Sequence, residues 1–453
     1  MIRLTITARA ILITEIRTIG LETFLPCTTL LRVLLDMKYS NANMRRSFRL
    51  KYTKVLCLKS IFIFLICSCA SGNSPQVEAE EAEIIVEKIT PITVGAERFS
   101  QYLPLLKDKN VGIVGNQSSL VGGTHLVDTL LELEVIVQKV FSPEHGFRGD
   151  ADAGEHVVSQ KDKKTGLAIV SLYGSNKKPK KEQLTGIDVM IFDIQDVGVR
   201  FYTYISTLHY VMEACAENGI PLIILDRPNP NGHYVDGPVL ETAFKSFVGM
   251  HPVPIIHGMT IGEYGKMVNG EGWLKNGVKC DLTVVSCENY THDMSYSLPV
   301  PPSPNLRSDL AIQLYPSICL LEGTAVSCGR GTDGPFERYG HHNFAELPFE
   351  FTPKSGVGSK SPKFNGKRCY GVNLADSNIA RMERFEIKYL MHANDLLGGK
   401  LFDDKKKIFN LLAGNDTLWR QVKAGISEEE IRKSWEPALS EFKVMRQKYL
   451  IYK

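Results

Sequence analysis

Short apolar runs that alternate with helical patterns are the feature that most constrains the fold of this chain. Each run spans five to seven residues and is rich in Val, Ile and Leu, as buried strands of a parallel sheet are. The runs are VGIVG (111–115), VIVQKVF (135–141), AIVSLYG (168–174), DVMIFDI (188–194) and PLIILD (221–226). Between them, apolar residues at three- and four-residue steps predict crossover helices over 124–134 and 203–217, and Asn218-Gly219 is typical of a helix end. The alternation predicts a doubly wound α/β domain with a parallel sheet.

A second, smaller unit follows this domain. Around Pro299 the sequence changes to PVPPSPN and then to Gly-rich loops, and it ends in a helical pattern from Glu428 to Lys448. We therefore predict an α/β domain over 89–299 and a mixed α+β unit over 300–453.

The segment from Met44 has the order of a secretory signal. A basic stretch precedes the apolar run IFIFLI, and small residues follow it. The tetrad ICSC that ends at Cys69 resembles a bacterial lipoprotein box, which predicts a signal peptide over 44–68 and a lipid on Cys69. The alternative is a plain signal peptide cut near Ser71. Because an export signal works at the extreme N-terminus, residues 1–43 indicate a mis-called start.

Removal of the signal changes the charge of the protein. Residues 1–68 hold 11 Lys/Arg and 3 Asp/Glu, so the net charge of +3 becomes −5 in the mature chain. Nucleic-acid binding needs a clustered basic face, and we expect no such partner. No apolar stretch reaches the roughly 18 residues of a spanning helix, so the lipid is the only membrane contact expected. Residues 69–88, rich in Ser, Pro and Glu, predict a tether, and the protein is expected in the periplasm or on the outer membrane of a Gram-negative-type bacterium.

The spacing of the cysteines does not favour a metal site. Six of them lie beyond Cys69, with no C-x-x-C pair and no histidine at zinc-finger spacing. We therefore expect neither a metal nor another cofactor, and leave the pairing of these cysteines open.

Polar side chains follow four of the five predicted strands. In open α/β sheets, ligands bind outside the carboxyl ends of the strands, so a binding or catalytic rim is expected there. An alternative for Asp193 or Asp226 is that each caps the following helix. The rim residues are Asn116 and Gln117, the segment SPEHGFRG (142–149), Asp193, Asp196 and Arg200, and the segment DRPN (226–229).

Glu144 is the strongest catalytic candidate on this rim. It lies in a loop between Phe141 and Phe147. Aromatic surface beside a carboxyl group excludes water and favours the protonated form that a general acid needs. The alternative is a structural ion pair with Arg148. Glycoside hydrolysis pairs such an acid with a second carboxylate or with the acetamido group of the substrate. The candidates for the second carboxylate are Asp193, Asp196, Asp226 and Glu322.

Two other patterns have simpler interpretations. The segment GRGTDG (329–334) matches a dinucleotide-binding pattern, but no strand precedes it and Pro335 follows it, so we do not expect a nucleotide site. Asp193 and Asp196 could hold Mg²⁺ for phosphoryl transfer, but no phosphate-binding loop accompanies them.

Several strings, in order along the chain, resemble the exo-β-N-acetylmuramidase family. The resemblance covers the chain from about Val94 to the C-terminus and implies a Rossmann-like domain, an auxiliary domain and an active site between them. It also implies release of N-acetylmuramic acid (MurNAc) from the non-reducing end of peptidoglycan fragments, in cell-wall turnover and recycling. The strings include FSPEHGFRGDADAGEH (141–156), DVMIFDIQDVGVRFYTYISTL (188–208), LDRPNPNG (225–232), VPPSPNL (300–306), YPSICLLEGT (315–324) and GRGTDGPFE (329–337).

By position, the glutamate of the family's PEHG motif is Glu144, and we place Asp193 and Glu322 beside it as catalytic candidates. The lactyl carboxylate that distinguishes MurNAc suits an arginine, and Arg148, Arg200 or Arg330 can supply it. The expected partners are muropeptides or MurNAc-GlcNAc saccharides. The substrate-binding candidates are Asn116, His145, Arg148, Asp196, Arg200, Tyr202, Asp226, Arg227, Asn229, Asn305 and Arg330. Two alternatives stay open at this point, a non-catalytic peptidoglycan-binding lipoprotein and a metal-dependent phosphoryl or acyl hydrolase.

Overall fold

The structure is a computed structural model that describes residues 90–144, 146–149, 160–344, 347–377, 379–402 and 407–452. The predicted signal peptide, the lipidation site Cys69, the tether and the candidate His145 lie outside the described residues.

A seven-stranded sheet forms the first part of the chain. The spatial order of its strands is β5-β6-β4-β1-β7-β8-β9, and every neighbouring pair is parallel except β5 with β6. All five predicted strands are present, whereas β5 and β9 were not predicted because they are short or only partly apolar. The strands are β1 (Val111–Gly115), β4 (Val137–Ser142), β5 (Gln160–Lys161), β6 (Ala168–Ser171), β7 (Val189–Asp193), β8 (Leu222–Leu225) and β9 (Leu282–Val285), with a small hairpin of β2 (Leu120–Val121) and β3 (Thr124–His125) after β1.

Helices connect these strands. The longest, α4, is buried along most of its length, and Gly219 ends it in the left-handed conformation with φ 65°, as the Asn-Gly pair predicted. The other predicted crossover is the shorter helix α2. The helices of this part are α1 (Phe99–Leu106), α2 (Leu126–Glu132), α3 (Lys181–Leu184), α4 (Tyr204–Asn218) and α5 (Ile261–Gly270).

The second part is mixed, as predicted, and carries a three-stranded antiparallel sheet of order β10-β12-β11. Its strands are β10 (Arg338–His341), β11 (Phe349–Phe351) and β12 (Cys369–Asn373), and its helices are α6 (Asp309–Ile318), α7 (Lys388–Leu396), α8 (Lys407–Ala413), α9 (Leu418–Lys423) and α10 (Glu428–Gln447). The predicted α/β class with a smaller mixed unit is therefore confirmed. The domain boundary near Pro299 stays a prediction.

One apolar core extends through both parts. It runs from Val114 on β1 and Phe192 on β7 to Leu321, Phe409 and Phe442 in the second part. Six cysteines of the described residues, Cys215, Cys280, Cys287, Cys319, Cys328 and Cys369, are buried free thiols. No helix among the described residues is both long and apolar enough to cross a membrane.

Candidate active site

A cavity of about 170 Å³ lies beside the carboxyl end of β4 and is closed by segments of the second part. The structure brings five of the predicted site residues to its wall: Glu144, Tyr202, Asn305, Glu322 and Arg330. Aromatic side chains that were not predicted as site residues complete much of the wall: Phe201, Tyr204, Tyr315 and Phe336. The cavity therefore combines carboxylates, a guanidinium group and the aromatic surface on which sugar rings pack.

Glu144 enters this wall from the turn that follows β4. The aromatic groups that interact with its carboxyl group are tyrosines. Tyr173, after β6, forms a side-chain hydrogen bond with Glu144, and burial together with the nearby Glu144 raises the pKa of the Tyr173 hydroxyl to about 12. Tyr204, at the first turn of α4, is also close enough to interact electrostatically with Glu144. Both hydroxyls therefore remain protonated donors at neutral pH.

Glu322 and Arg330 form an ion pair in the wall of the cavity, with Arg330 Nε donating to Glu322 Oε1. The side chains are 27% and 29% exposed, so a ligand in the cavity can reach both. Burial opposes the charge of Arg330, but the Glu322 carboxylate more than offsets it and holds the pKa of the guanidinium above its usual range. The guanidinium also lies 5.2 Å from the centre of the Phe336 ring, which limits its movement.

The turn that carries Glu322 is fixed from two sides. Lys363 Nζ lies 2.5–3.1 Å from four carbonyl oxygens, those of Leu321, Glu322, Thr324 and Val326, among which its three N–H groups are shared. On the other side, a Cβ atom on Gly323 would lie 2.5 Å from Cα of Phe409, so only glycine permits the close approach of α8. The backbone therefore presents Glu322 in one orientation.

Asp193 is not brought to the cavity. Its carboxylate is fully buried and accepts two hydrogen bonds from Arg227, at 2.6 Å from Nε and 2.9 Å from Nη2. The two side chains pair with each other in the protein interior, so the structure brings neither Asp193, expected beside Glu144, nor Arg227, expected to bind substrate, to the cavity wall. The same pairing argues against a Mg²⁺ site at Asp193, because the guanidinium occupies the position that a cation would take.

Arg200 and Arg148 have structural partners. Arg200 is 0% exposed, and its guanidinium donates to four backbone carbonyls, of Pro238, Val253, Leu412 and Ala413. It joins α8 to the first part of the chain and cannot contact a substrate. Arg148 forms ion pairs with Asp128 and Asp162 and holds the pKa of Asp162 well below its usual range. Of the three candidate arginines, Arg330 is the one in the cavity wall.

Asp226 and Asn229 also have structural roles. Asp226 accepts hydrogen bonds from Thr260 Oγ1 and the Gly262 backbone N–H at the start of α5, each within 2.8 Å. Asp226 therefore caps α5, the α-helix that follows it in the sequence, as the alternative interpretation states. Asn229 Nδ2 donates to the carbonyl of Met259. Neither residue is brought to the cavity wall.

Asp196 and Asn116 lie beneath the tyrosines of the cavity wall. Asp196 is buried, and its Oδ2 accepts from the Gly198 N–H at 2.6 Å. Burial raises the pKa of Asp196 to about 7. Asn116 is fully buried and interacts with the hydroxyl of Tyr204. Neither residue lines the cavity. Each interacts instead with a tyrosine that does.

Sequence reasoning missed Tyr173, Tyr204 and Lys363. Tyr173 lies near the end of a predicted strand, and Tyr204 lies in a string that carries the family resemblance, two residues after another tyrosine. Tyr202 and Tyr204 differ by two positions, and only the fold shows that both hydroxyls donate to the carbonyl oxygen of Pro302, at 2.9 Å and 3.4 Å.

An α/β fold in which a glutamate after a strand end shares a cavity wall with a second glutamate and an arginine fits the two-carboxylate site of a glycoside hydrolase. Comparison with known proteins agrees. The family model described as "Exo-beta-N-acetylmuramidase NamZ, N-terminal" matches residues 111–310, and its C-terminal counterpart matches residues 313–452. The chain belongs to this family, and the expected enzyme class, a glycoside hydrolase, is confirmed.

Individual relatives extend over most of the chain. The peptidoglycan β-N-acetylmuramidase NamZ of Bacillus subtilis (strain 168) is 38% identical over an alignment of 418 residues, and the match covers 87% of this chain and 100% of that protein. Two crystal structures of DUF1343 family proteins from Bacteroides fragilis NCTC 9343 are similar. One has a TM-score of 0.73 at 46% identity and the other 0.69 at 30%, and each match covers 80% of this chain and 99% of the other. These matches favour the muramidase over the binding protein and the metal-dependent hydrolase.

Proposed function

We propose that this chain hydrolyses the β-glycosidic bond of a terminal MurNAc residue at the non-reducing end of peptidoglycan fragments. The observation that carries the proposal is that Glu144 and the Glu322–Arg330 pair line one cavity. The two carboxyl groups can serve as the general acid and the second carboxylate of glycoside hydrolysis. The positive charge of the arginine can pair with the carboxylate of an acidic sugar.

Glu144 acts as the proton donor. Its protonated carboxyl group transfers a proton to the glycosidic oxygen as the bond from the anomeric carbon to that oxygen breaks. Water then adds to the anomeric carbon and gives up one proton, which restores the Glu144 carboxyl group, so that the products are free MurNAc and a saccharide with a new hydroxyl group. Glu322 is the second carboxylate in the cavity, and we assign it the charge stabilisation of the sugar cation that develops in this step.

Arg330 recognises the lactyl carboxylate. It is the arginine of the cavity wall, its Nε is held by Glu322, and its remaining N–H groups can donate to two oxygens of one carboxylate. A glucosaminide has no lactyl group and leaves this charge without a substrate partner. Discrimination between muraminides and glucosaminides follows from this contact.

Export and lipid anchoring remain part of the proposal and rest on the sequence alone. The basic stretch, the apolar run and the ICSC tetrad ending at Cys69 support a lipoprotein of the cell envelope, where peptidoglycan fragments are found. Expression from Met44 in the presence of radiolabelled palmitate tests it. Label should enter the wild-type chain and not a Cys69→Ala variant, and equal labelling would contradict the anchor.

The experiment that tests the activity compares two chromogenic substrates. We expect release of 4-nitrophenol from the β-N-acetylmuraminide, unchanged by a metal chelator, and little release from the β-N-acetylglucosaminide. Release that requires an added metal ion would support a metal-dependent hydrolase. Binding of muropeptides without any release would support a non-catalytic peptidoglycan-binding protein.

A further inference from the structure

The segment 302–306 forms one side of the cavity. Three of its side chains, all buried, line the wall: Ser303, Asn305 and Leu306. The carbonyl oxygen of Pro302, at the start of the segment, accepts from the Tyr202 hydroxyl at 2.9 Å and from Gln117 Nε2 at 3.1 Å. The segment is therefore fixed against the first part of the chain, and its polar side chains have defined positions in the wall.

The amide group of Asn305 is fixed in one orientation. Its Nδ2 donates to the carbonyl oxygen of Gly358 at 2.7 Å, and because a carbonyl can only accept, the amide nitrogen and not the oxygen faces Gly358. A Cβ atom on Gly358 would lie 2.8 Å from Cβ of Pro304 and 3.0 Å from Asn305 Nδ2, so glycine permits this close contact. Gly358 lies outside the cavity wall. Asn305 therefore presents its Oδ1, an acceptor, to the cavity.

Ser303 adds a donor beside this acceptor. Its Oγ accepts from the backbone N–H of Asn305 at 3.2 Å. A hydroxyl group both accepts and donates, so this bond leaves the proton of Ser303 to donate, and within the described part of the chain no acceptor takes it. The segment thus presents one acceptor and one donor to the cavity, next to the apolar side chains of Leu306 and Val248 in the same wall.

We infer that Asn305 and Ser303 bind the 2-acetamido group of the terminal sugar. Asn305 Oδ1 accepts from the N–H of this group, and the Ser303 hydroxyl donates to its carbonyl oxygen. The methyl group of the acetamido group packs against the apolar side chains beside them. A hydroxyl group in the same position on the sugar is too short to reach both partners and has no methyl group.

The inference rests on the proposed function and adds a second specificity contact to it. Arg330 reads the lactyl group, whereas Asn305 and Ser303 read a different substituent of the same sugar. A site built to hydrogen-bond a polar group discriminates against a substrate that lacks the group, because its own buried polar atoms then stay unpaired. Sugars without the N-acetyl group should therefore be poor substrates even when they carry the lactyl group.

The substituent at C2 of the substrate tests this subsite. The two substrates are the 4-nitrophenyl β-N-acetylmuraminide and its analogue with a hydroxyl group at C2, which keeps the lactyl carboxylate for Arg330. We expect the wild type to prefer the N-acetyl substrate by about 10- to 100-fold in kcat/KM. Asn305→Ala and Ser303→Ala should each lower kcat/KM for the N-acetyl substrate by about 10-fold and for the analogue by less than about threefold.

Competitive inhibition of the wild type measures the same contact without a variant and without turnover of the analogue. The methyl β-N-acetylmuraminide should inhibit with a constant about 10-fold or more below that of the methyl glycoside with a hydroxyl group at C2. Asn415→Ala is the matched control for the variants. Asn415 is a buried asparagine outside the cavity wall whose Oδ1 accepts from the backbone N–H groups of Thr417 and Leu418, so its loss should leave the preference unchanged.

Two results would overturn the inference. One is an equal loss on both substrates, or no loss, in Asn305→Ala and Ser303→Ala, and the other is equal inhibition of the wild type by the two methyl glycosides. An active wild-type enzyme leaves the proposed function intact in either case. A wild-type chain that does not release 4-nitrophenol from the muraminide would instead overturn the proposed function.

Discussion

Glu144 and Glu322 lie in the wall of one cavity, although Glu144 follows a strand of the large sheet and Glu322 lies in a turn of the second part of the chain. Neither part alone contains the site. The apolar core that both parts share holds the two carboxyl groups together, because a movement between the parts would separate them.

The roles of Asp193 and Glu322 can be separated by substitution. Asp193→Asn removes the charge that neutralises the buried Arg227, and we expect the free energy of unfolding to fall by about 3–5 kcal/mol. Glu322→Gln leaves a partner that is 29% exposed to solvent, so stability should change little while kcat falls by about 100-fold or more. Urea denaturation and turnover of both variants check this. A stable, inactive Asp193→Asn variant would restore Asp193 as the catalytic partner.

Arg330 should determine substrate choice. Arg330→Met removes the charge that we assign to the lactyl carboxylate, and a charge-assisted hydrogen bond of this kind corresponds to a rise in KM of about 10- to 100-fold for the muraminide. The glucosaminide lacks the carboxylate, so its kcat/KM should be nearly unchanged. Kinetics on the two 4-nitrophenyl glycosides measure the ratio. If both substrates lose activity equally, Arg330 serves only to hold Glu322.

Asp196 should make stability depend on pH. Burial raises its pKa from the ordinary 3.8 to about 7, so between these values the folded chain keeps a proton that the unfolded chain has released. Its contribution is complete below pH 3.8 and is lost as the pH rises to about 7. Asn at position 196 does not titrate. The free energy of unfolding of Asp196→Asn, relative to that of the wild type, should therefore rise by about 1.4 kcal/mol per pH unit across this window.

Two neighbouring groups do not disturb that comparison. His257, 3.9 Å from Asp196, stays neutral in the folded chain across the window because burial lowers its pKa to about 3, and its titration in the unfolded chain is common to both proteins. Asp226, whose pKa burial raises to about 6, is present in both proteins and cancels in the difference. Urea denaturation at intervals between pH 4 and pH 7.5 gives the two curves, and parallel curves would show that Asp196 does not titrate there.

The C-terminal Tyr452 should contribute stability without affecting catalysis. Its hydroxyl donates to Asp226 at 2.7 Å and accepts from the backbone N–H of Cys287 at 2.8 Å, in a buried cluster on the first part of the chain. Tyr452→Phe leaves the N–H of Cys287 unsatisfied, and we expect a loss of about 1–3 kcal/mol in the free energy of unfolding. The kcat should stay at the wild-type value. A fall in kcat without a change in thermal midpoint would contradict this assignment.

The elements of the fold were readable from the sequence because their signals are local. Apolar runs predicted β1, β4, β6, β7 and β8, and Asn218-Gly219 predicted the end of α4, since burial and a left-handed residue each leave a short pattern. Strand ends likewise predicted a rim that includes Glu144, and Glu144 lines the cavity. The edge strands β5 and β9 escaped because two to four residues of mixed polarity carry little periodicity.

The partners of the polar side chains were not readable, because they are set by contacts far apart in the chain. The sequence placed Asp193 and Arg227 on the rim, whereas in the fold they pair with each other. Arg200 was a candidate for substrate binding, whereas in the fold it donates to backbone carbonyls. A charged residue after a strand has the same local pattern whether it faces the cavity or the interior. The choice between them depends on long-range packing.

The most direct test of the central claim is the turnover of Glu144→Gln on MurNAc-GlcNAc. Glutamine keeps the shape of the side chain and cannot donate the proton to the glycosidic oxygen. We predict that kcat falls by about 100-fold or more with KM and thermal midpoint close to those of the wild type. A variant that retains wild-type kcat would contradict the claim that Glu144 in this cavity is the proton donor.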